Sequence, residues 1–64
     1  MNYVGIDLHR DFFVAVAQDE HGTELFNRRY INSIESVEKL VREFDTPPVV
    51  VVEVSSPHFM KTIF

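Results

Sequence analysis

The feature that most constrains the fold of this chain is a run of four valines, residues 49–52, directly after Pro47 and Pro48. Consecutive β-branched residues favour a strand. The run does not alternate between polar and apolar positions, and this is typical of a strand buried on both faces in a parallel sheet. The rest of the chain must therefore supply a neighbouring strand and covering elements.

A second apolar run, residues 3–8, is the natural neighbour of the valine run. It is apolar apart from Asp7, so we expect a central strand that is covered on both sides. Gly5 lies in its middle, and a glycine within a strand often marks close approach to the backbone. We expect a packed neighbour beside Gly5, with a bound substrate as the alternative.

Turn signals divide the first half of the chain into three strands. Polar residues 9–11 and 19–22 separate β-type segments at residues 3–8, 12–17 and 23–31, which predicts an antiparallel meander. The third segment is the most polar, and charge at Arg28 and Arg29 is typical of an exposed edge strand. A small phosphate contact is the alternative role for these two arginines.

A helix is predicted between the meander and the valine run. Asn32 is placed to cap it, and Glu35 lies three positions later, as in a capping box. Apolar residues then recur at three- and four-residue steps as far as Phe44, which predicts one buried stripe. The stripe consists of Ile34, Val37, Leu40, Val41 and Phe44. After the valine run, residues 55–57 predict the cap and first-turn proline of a second helix that starts at His58.

This order of elements predicts an α/β fold with a chemical consequence. A right-handed crossover would return the valine strand parallel to the first strand. Asp7 and Glu53 would then lie side by side near the carboxyl ends of adjacent strands, about 5 Å apart at the backbone. Two carboxylates this close repel unless one takes up a proton or a cation lies between them. Hard oxygen ligands suit Mg²⁺ or Mn²⁺, so Asp7 and Glu53 are our candidate metal and catalytic residues. The alternative is that Asp7 opens a turn and Glu53 precedes a helix cap.

Composition limits the classes of function. Six Lys and Arg against ten Asp and Glu give a net charge of −4, so any nucleic-acid contact must be local or metal-mediated. There is no cysteine, and no apolar run approaches the length of a membrane span. We expect a soluble, cytoplasmic protein without a membrane partner.

Residues 3–10, the segment 14–16 and the segment 50–55 together resemble the amino-terminal part of a known family. They are similar to the RuvC-like DEDD transposases of bacterial insertion sequences, the bridge-RNA-guided "IS one-ten" group. The resemblance covers essentially all 64 residues, but only the start of the family's proteins. It implies a ribonuclease-H-like (RuvC-like) partial domain over residues 1–64, with a meander, a helix, a parallel fourth strand and the start of a second helix.

The resemblance also implies the role of the two acids. Asp7 and Glu53 would be the first two members of an acidic tetrad that binds Mg²⁺ or Mn²⁺ for DNA cleavage and exchange. The other two aspartates lie further along the family's proteins, so we expect the fragment to be inactive alone and to bind metal weakly. Partners in the full-length family are DNA and a guide RNA. The family usually has lysine in place of Arg10 and glycine in place of Ser56.

His9 and Arg10 follow the first acid directly, and they are candidate contacts for a nucleic-acid phosphate; solvated turn positions are the alternative. Two other functions remain open. Actin-like ATPases and sugar kinases begin with a similar strand, but a glycine-containing phosphate loop follows it, whereas residues 8–10 are bulky here. A non-catalytic module that self-associates into a homo-oligomer is the third hypothesis, because the predicted elements leave an apolar edge uncovered.

Overall fold

The computed structural model describes residues 1–54 of the chain. In this range it forms a small α/β fold with four strands and one helix. The elements are β1 (Tyr3–Leu8), β2 (Phe12–Gln18), β3 (Glu24–Ile31), α1 (Ile34–Val41) and β4 (Val49–Val54). The predicted cap at residues 55–57 and the second helix from His58 lie outside the described residues.

The four strands form one mixed sheet in the order β3-β2-β1-β4. β1 pairs antiparallel with β2, and β2 pairs antiparallel with β3, so the predicted meander is confirmed. β4 returns through α1 and pairs parallel with β1, as the crossover argument predicted. The sheet thus brings the first and last described strands into contact.

The turn between β2 and β3 explains why the second hairpin closes where it does. The Asp19 side chain accepts hydrogen bonds from the backbone N–H groups of His21 and Thr23, at 2.8 and 3.0 Å. Gly22 adopts a positive φ of 83°, a conformation that glycine reaches without steric cost. The turn signal predicted from residues 19–22 is therefore confirmed.

The sheet has two different faces. The covered face lies against α1, and its core consists of Val4, Phe13, Ala15 and Ala17 packed with Leu40 of the helix. The open face is the opposite side, where Gly5 and Asp7 of β1 alternate with the buried positions. Side chains alternate between these faces along each strand, so each strand contributes to both.

The prediction that both apolar strands are buried on both faces is wrong for residues 1–54. β1 alternates, with Val4 only 1% exposed and Tyr3 44% exposed. The first four of the five valines of β4, residues 49–52, expose 40–57% of their surface. The cause is that, in the described part of the chain, one helix covers one face, and its buried residue Leu40 packs with residues of β1 and β2 rather than of β4.

The helix also departs from its prediction. Its N-cap is Ser33, whose hydroxyl accepts a hydrogen bond from the N–H of Ser36 at 3.2 Å, so the assignment of Asn32 as the cap is wrong by one residue. The helix ends at Val41, before Phe44. The predicted stripe is only partly buried, since Leu40 lies in the core while Ile34 is 81% exposed. Val37 and Val41 are exposed as well.

An ion pair joins β3 to the segment that follows the helix. The Arg28 guanidinium contacts the Glu43 carboxylate, and that hydrogen bond is the main cause that raises the pKa of Arg28 above its usual value. Nearby, the rings of Phe26 and Phe44 lie 5.9 Å apart. Together these contacts hold the end of the helical segment over the outer strand of the meander.

Candidate functional site

Asp7 and Glu53 lie side by side, as the sequence predicted. They are direct register partners on the parallel strands β1 and β4, and each is the fifth residue of a six-residue strand. Partners on neighbouring strands have backbones roughly 5 Å apart and side chains on the same face. The two carboxylates therefore share the open face near the carboxyl ends of both strands.

The two acids line a shallow, solvent-open depression of about 360 Å³. Its floor is formed by the apolar residues Val14, Val16 and Val51, together with Gly5 and Ile6. Ligand sites commonly combine an apolar lining with a few polar groups that converge. Here the polar groups of the lining are the carboxylates of Asp7 and Glu53.

Gly5 leaves space in this depression. A Cβ atom built at Gly5 meets no atom within 4 Å, and the residue is exposed. The expected packed neighbour is therefore absent among the described residues, and the expectation of packing is wrong there. Gly5 instead opens the floor of the depression two positions before Asp7.

His9 lies against Asp7. Its Nε2 atom is 3.1 Å from Oδ2 of Asp7, and the two side chains are 33% and 50% exposed. The His9 ring also stacks on Phe12, with centroids 4.4 Å apart. When Nε2 carries the proton it donates to Asp7, and this orients the carboxylate in the way that outer hydrogen bonds orient metal ligands.

Arg10 lies in the turn between β1 and β2 and does not line the depression. The turn is closed by a hydrogen bond from the N–H of His9 to the carbonyl oxygen of Phe12, at 2.9 Å. The Asn32 side-chain amide donates to the carbonyl oxygens of His9 and Arg10, both at 3.3 Å. Asn32 thus stabilises this turn between β1 and β2 instead of capping the helix.

The donor set fits part of a hard-metal site. Within residues 1–54, no three His, Cys, Asp or Glu side chains are grouped so that they could hold a metal ion. Mg²⁺, however, is commonly held by one or two carboxylates, with water and phosphate oxygens completing its shell. Asp7 and Glu53 are oxygen donors of this kind, in a depression open enough to admit the other ligands.

Sequence reasoning did not place the residues of β2 and β3 that share the open face with the two acids. Val14 and Val16 line the depression beside the acids, whereas Phe12 and Arg29 lie outside it, with the Arg29 guanidinium 3.8 Å above the centre of the Phe12 ring. The signal that could have found them is alternation, because every second residue of β2 lies on the face that carries Asp7. The register between β2 and β3 was also needed to place Arg29.

Comparisons with family models, curated proteins and solved structures give no match for this chain. The helix described in residues 1–54, α1, lacks the length and apolar character needed to cross a membrane. Function must therefore be argued from the site itself.

Proposed function

We propose that this chain contributes two metal-binding carboxylates, Asp7 and Glu53, to a nuclease of ribonuclease-H-like fold that acts on phosphodiesters. The observation that carries the proposal is their direct pairing on parallel strands at the rim of an open depression. The resemblance to RuvC-like DEDD transposases supports the same roles for the same two residues. DNA is then the substrate class, and a guide RNA is a partner, as in that family.

The chain's own residues would bind the metal ion and orient its carboxylate ligands. The Asp7 and Glu53 carboxylates provide negative oxygen ligands on one face, and His9 fixes the orientation of the first carboxylate through its 3.1 Å contact. A bound Mg²⁺ or Mn²⁺ would supply Lewis-acid stabilisation of the reacting phosphate oxygens. Gly5 leaves room for the substrate beside Asp7.

The turn after Asp7 weighs against nucleotide triphosphate binding by a phosphate loop. Such loops bring backbone N–H groups close to the phosphates, and glycine permits that approach. Here the turn holds His9, Arg10 and Asp11, and the N–H of His9 already donates to the Phe12 carbonyl oxygen. A polynucleotide that meets side chains and metal suits this turn better.

Manganese titration tests the proposal directly. Mn²⁺ broadens NMR signals of nearby nuclei, so we expect selective loss of the Asp7 and Glu53 signals at millimolar metal. The variants Asp7→Asn and Glu53→Gln should each weaken this effect at least about fivefold, since each removes one of two charged ligands. Glu35→Gln, in the first turn of α1, is the matched control and should change nothing.

Two outcomes would overturn the metal site. One is broadening that spreads over all surface carboxylates equally, Glu35 included. The other is unchanged metal affinity in both Asp7→Asn and Glu53→Gln. A circular-dichroism spectrum like that of the unmodified chain shows that each variant is folded.

Self-association is a second candidate function, favoured by one observation. β4 is an edge strand of the sheet formed by residues 1–54, and its first four valines are exposed. Exposed apolar edge strands pair readily with a further strand, and a second copy of the chain provides one. We expect sedimentation to show dimers at high concentration and Val51→Lys to reduce them. A monomer at every concentration would contradict this candidate.

A further inference from the structure

A single transverse row crosses the whole sheet on its open face. Glu53 of β4 is in register with Asp7 of β1, Asp7 with Val14 of β2, and Val14 with Arg29 of β3. Register partners share a face, so the row places two carboxylates at one end and a guanidinium at the other. With strands about 4.8 Å apart, the Arg29 and Asp7 backbones are separated by roughly 10 Å.

The Arg29 guanidinium is held in place by an aromatic ring. It lies 3.8 Å above the centre of the Phe12 ring, and the His9 ring stacks on the same Phe12. Within residues 1–54, no carboxylate lies within ion-pair distance of Arg29, which is exposed. A contiguous chain of contacts therefore joins Asp7, His9, Phe12 and Arg29 on the open face.

The adjacent residue, Arg28, provides an internal comparison. It also lies over an aromatic ring, that of Phe26, at 4.5 Å. Arg28 is in register with the buried Ala15, so it belongs to the covered face, and it forms an ion pair with Glu43. Of the two arginines, Arg29 is the one that has no carboxylate partner among residues 1–54, so its charge is available to a ligand on the open face.

We propose that Arg29 binds a backbone phosphate of a polynucleotide whose neighbouring phosphodiester lies at Asp7 and Glu53. The inference rests on the proposed function of the two carboxylates. The separation of roughly 10 Å between the Arg29 and Asp7 backbones is on the order of one to two phosphate spacings along a nucleic-acid strand, because successive phosphates of a helical backbone lie farther apart than the axial rise of about 3.4 Å. Arginine suits this task because its planar guanidinium binds phosphate oxygens in pairs and stacks on an aromatic ring.

The position of Arg29 also explains how a chain with a net charge of −4 could bind a negatively charged polynucleotide. A uniformly acidic surface repels a polyanion, so binding needs a local cation that is already oriented. Stacking on Phe12 restricts the Arg29 side chain before the ligand arrives, which reduces the ordering cost of binding. Arg29 is thus a positioning residue, because it determines which phosphodiester of the bound polynucleotide lies over Asp7 and Glu53.

The test measures binding of a short, fluorescein-labelled oligothymidylate by anisotropy, with the full chain and Ca²⁺ present, at several salt concentrations. Arg29→Ala should weaken binding roughly three- to tenfold at low salt and reduce the slope of log K against log salt by about 0.7, the value for one phosphate contact on a single strand. Arg28→Ala changes the net charge equally and should leave affinity within about twofold. Arg29→Lys should restore the salt slope, because it keeps the charge.

Equal losses in Arg28→Ala and Arg29→Ala would overturn the proposal, because they would show only a general charge effect. Failure of the unmodified chain to bind the oligonucleotide would overturn it too. The manganese titration separates this inference from the metal site. If Arg29→Ala selectively loses oligonucleotide binding, the phosphate contact is supported even where Mn²⁺ does not bind. If Mn²⁺ binds but Arg29→Ala has no effect on oligonucleotide binding, the phosphate contact is overturned and the metal site is not.

Discussion

The covered and open faces of the sheet are made by the same strands but carry different kinds of residue. On the covered face, small and aromatic side chains such as Ala15 and Phe13 are fully enclosed by Leu40 and its neighbours. On the open face, Asp7 and Glu53 lie among half-buried or exposed valines. Alternation along each strand therefore places the core residues on one face and the proposed metal-binding residues on the other.

The difference teaches how a small sheet can hold charged groups close together. The few enclosed side chains among residues 1–54 are concentrated on one face, so the other face carries like charges in contact with water. Solvent screening keeps the repulsion between exposed carboxylates small. A bound cation would then add attraction at little cost to the fold.

The largest test of this comparison is Phe13→Ala against Val14→Ala, adjacent residues on opposite faces. Phe13 is 2% exposed, so we expect its truncation to destabilise the fold by about 3–5 kcal/mol, most of what a chain of this size has. Val14→Ala should cost about 1 kcal/mol or less. Urea unfolding followed by circular dichroism measures both. Equal losses would mean that the open face is packed in solution, and the comparison would fail.

The smallest test concerns the two glycines. Gly5→Ala adds a Cβ into open space in an extended strand and should stabilise the fold by about 0.5 kcal/mol, because it restricts the unfolded chain. Gly22→Ala should destabilise it, since φ is positive there. Thermal melting of both variants checks the signs. A destabilised Gly5→Ala variant would show that something packs on the open face at that point.

Much of the fold could be predicted from the sequence. The strand segments and the parallel return of β4 follow from apolar runs, turn residues and the handedness of crossovers. The pairing of Asp7 with Glu53 was also predictable, because each acid lies one residue before the end of its strand. These features depend on local chemistry and on a general rule of chain connection.

The remaining features depend on tertiary placement. An unbroken valine run indicates hydrophobicity but not whether a covering element exists, so burial on both faces of β4 was predicted wrongly. Asn32 and Ser33 are both good capping residues. Ser33 is the cap because the Asn32 side chain is hydrogen-bonded to the turn between β1 and β2. The place of Arg29 depends on the β2–β3 register, which shifts between Ala17 and Gln18.

The hydrogen bonds of Asn32 also bear on the order of folding. The amide side chain spans more than twenty residues of sequence to reach the carbonyl oxygens of His9 and Arg10, and the N–H of Asn32 donates to the Asp11 carbonyl oxygen. Such contacts form only after the intervening chain has closed into its hairpins. The turn that carries His9 thus gains its full support only when β3 has docked on β2.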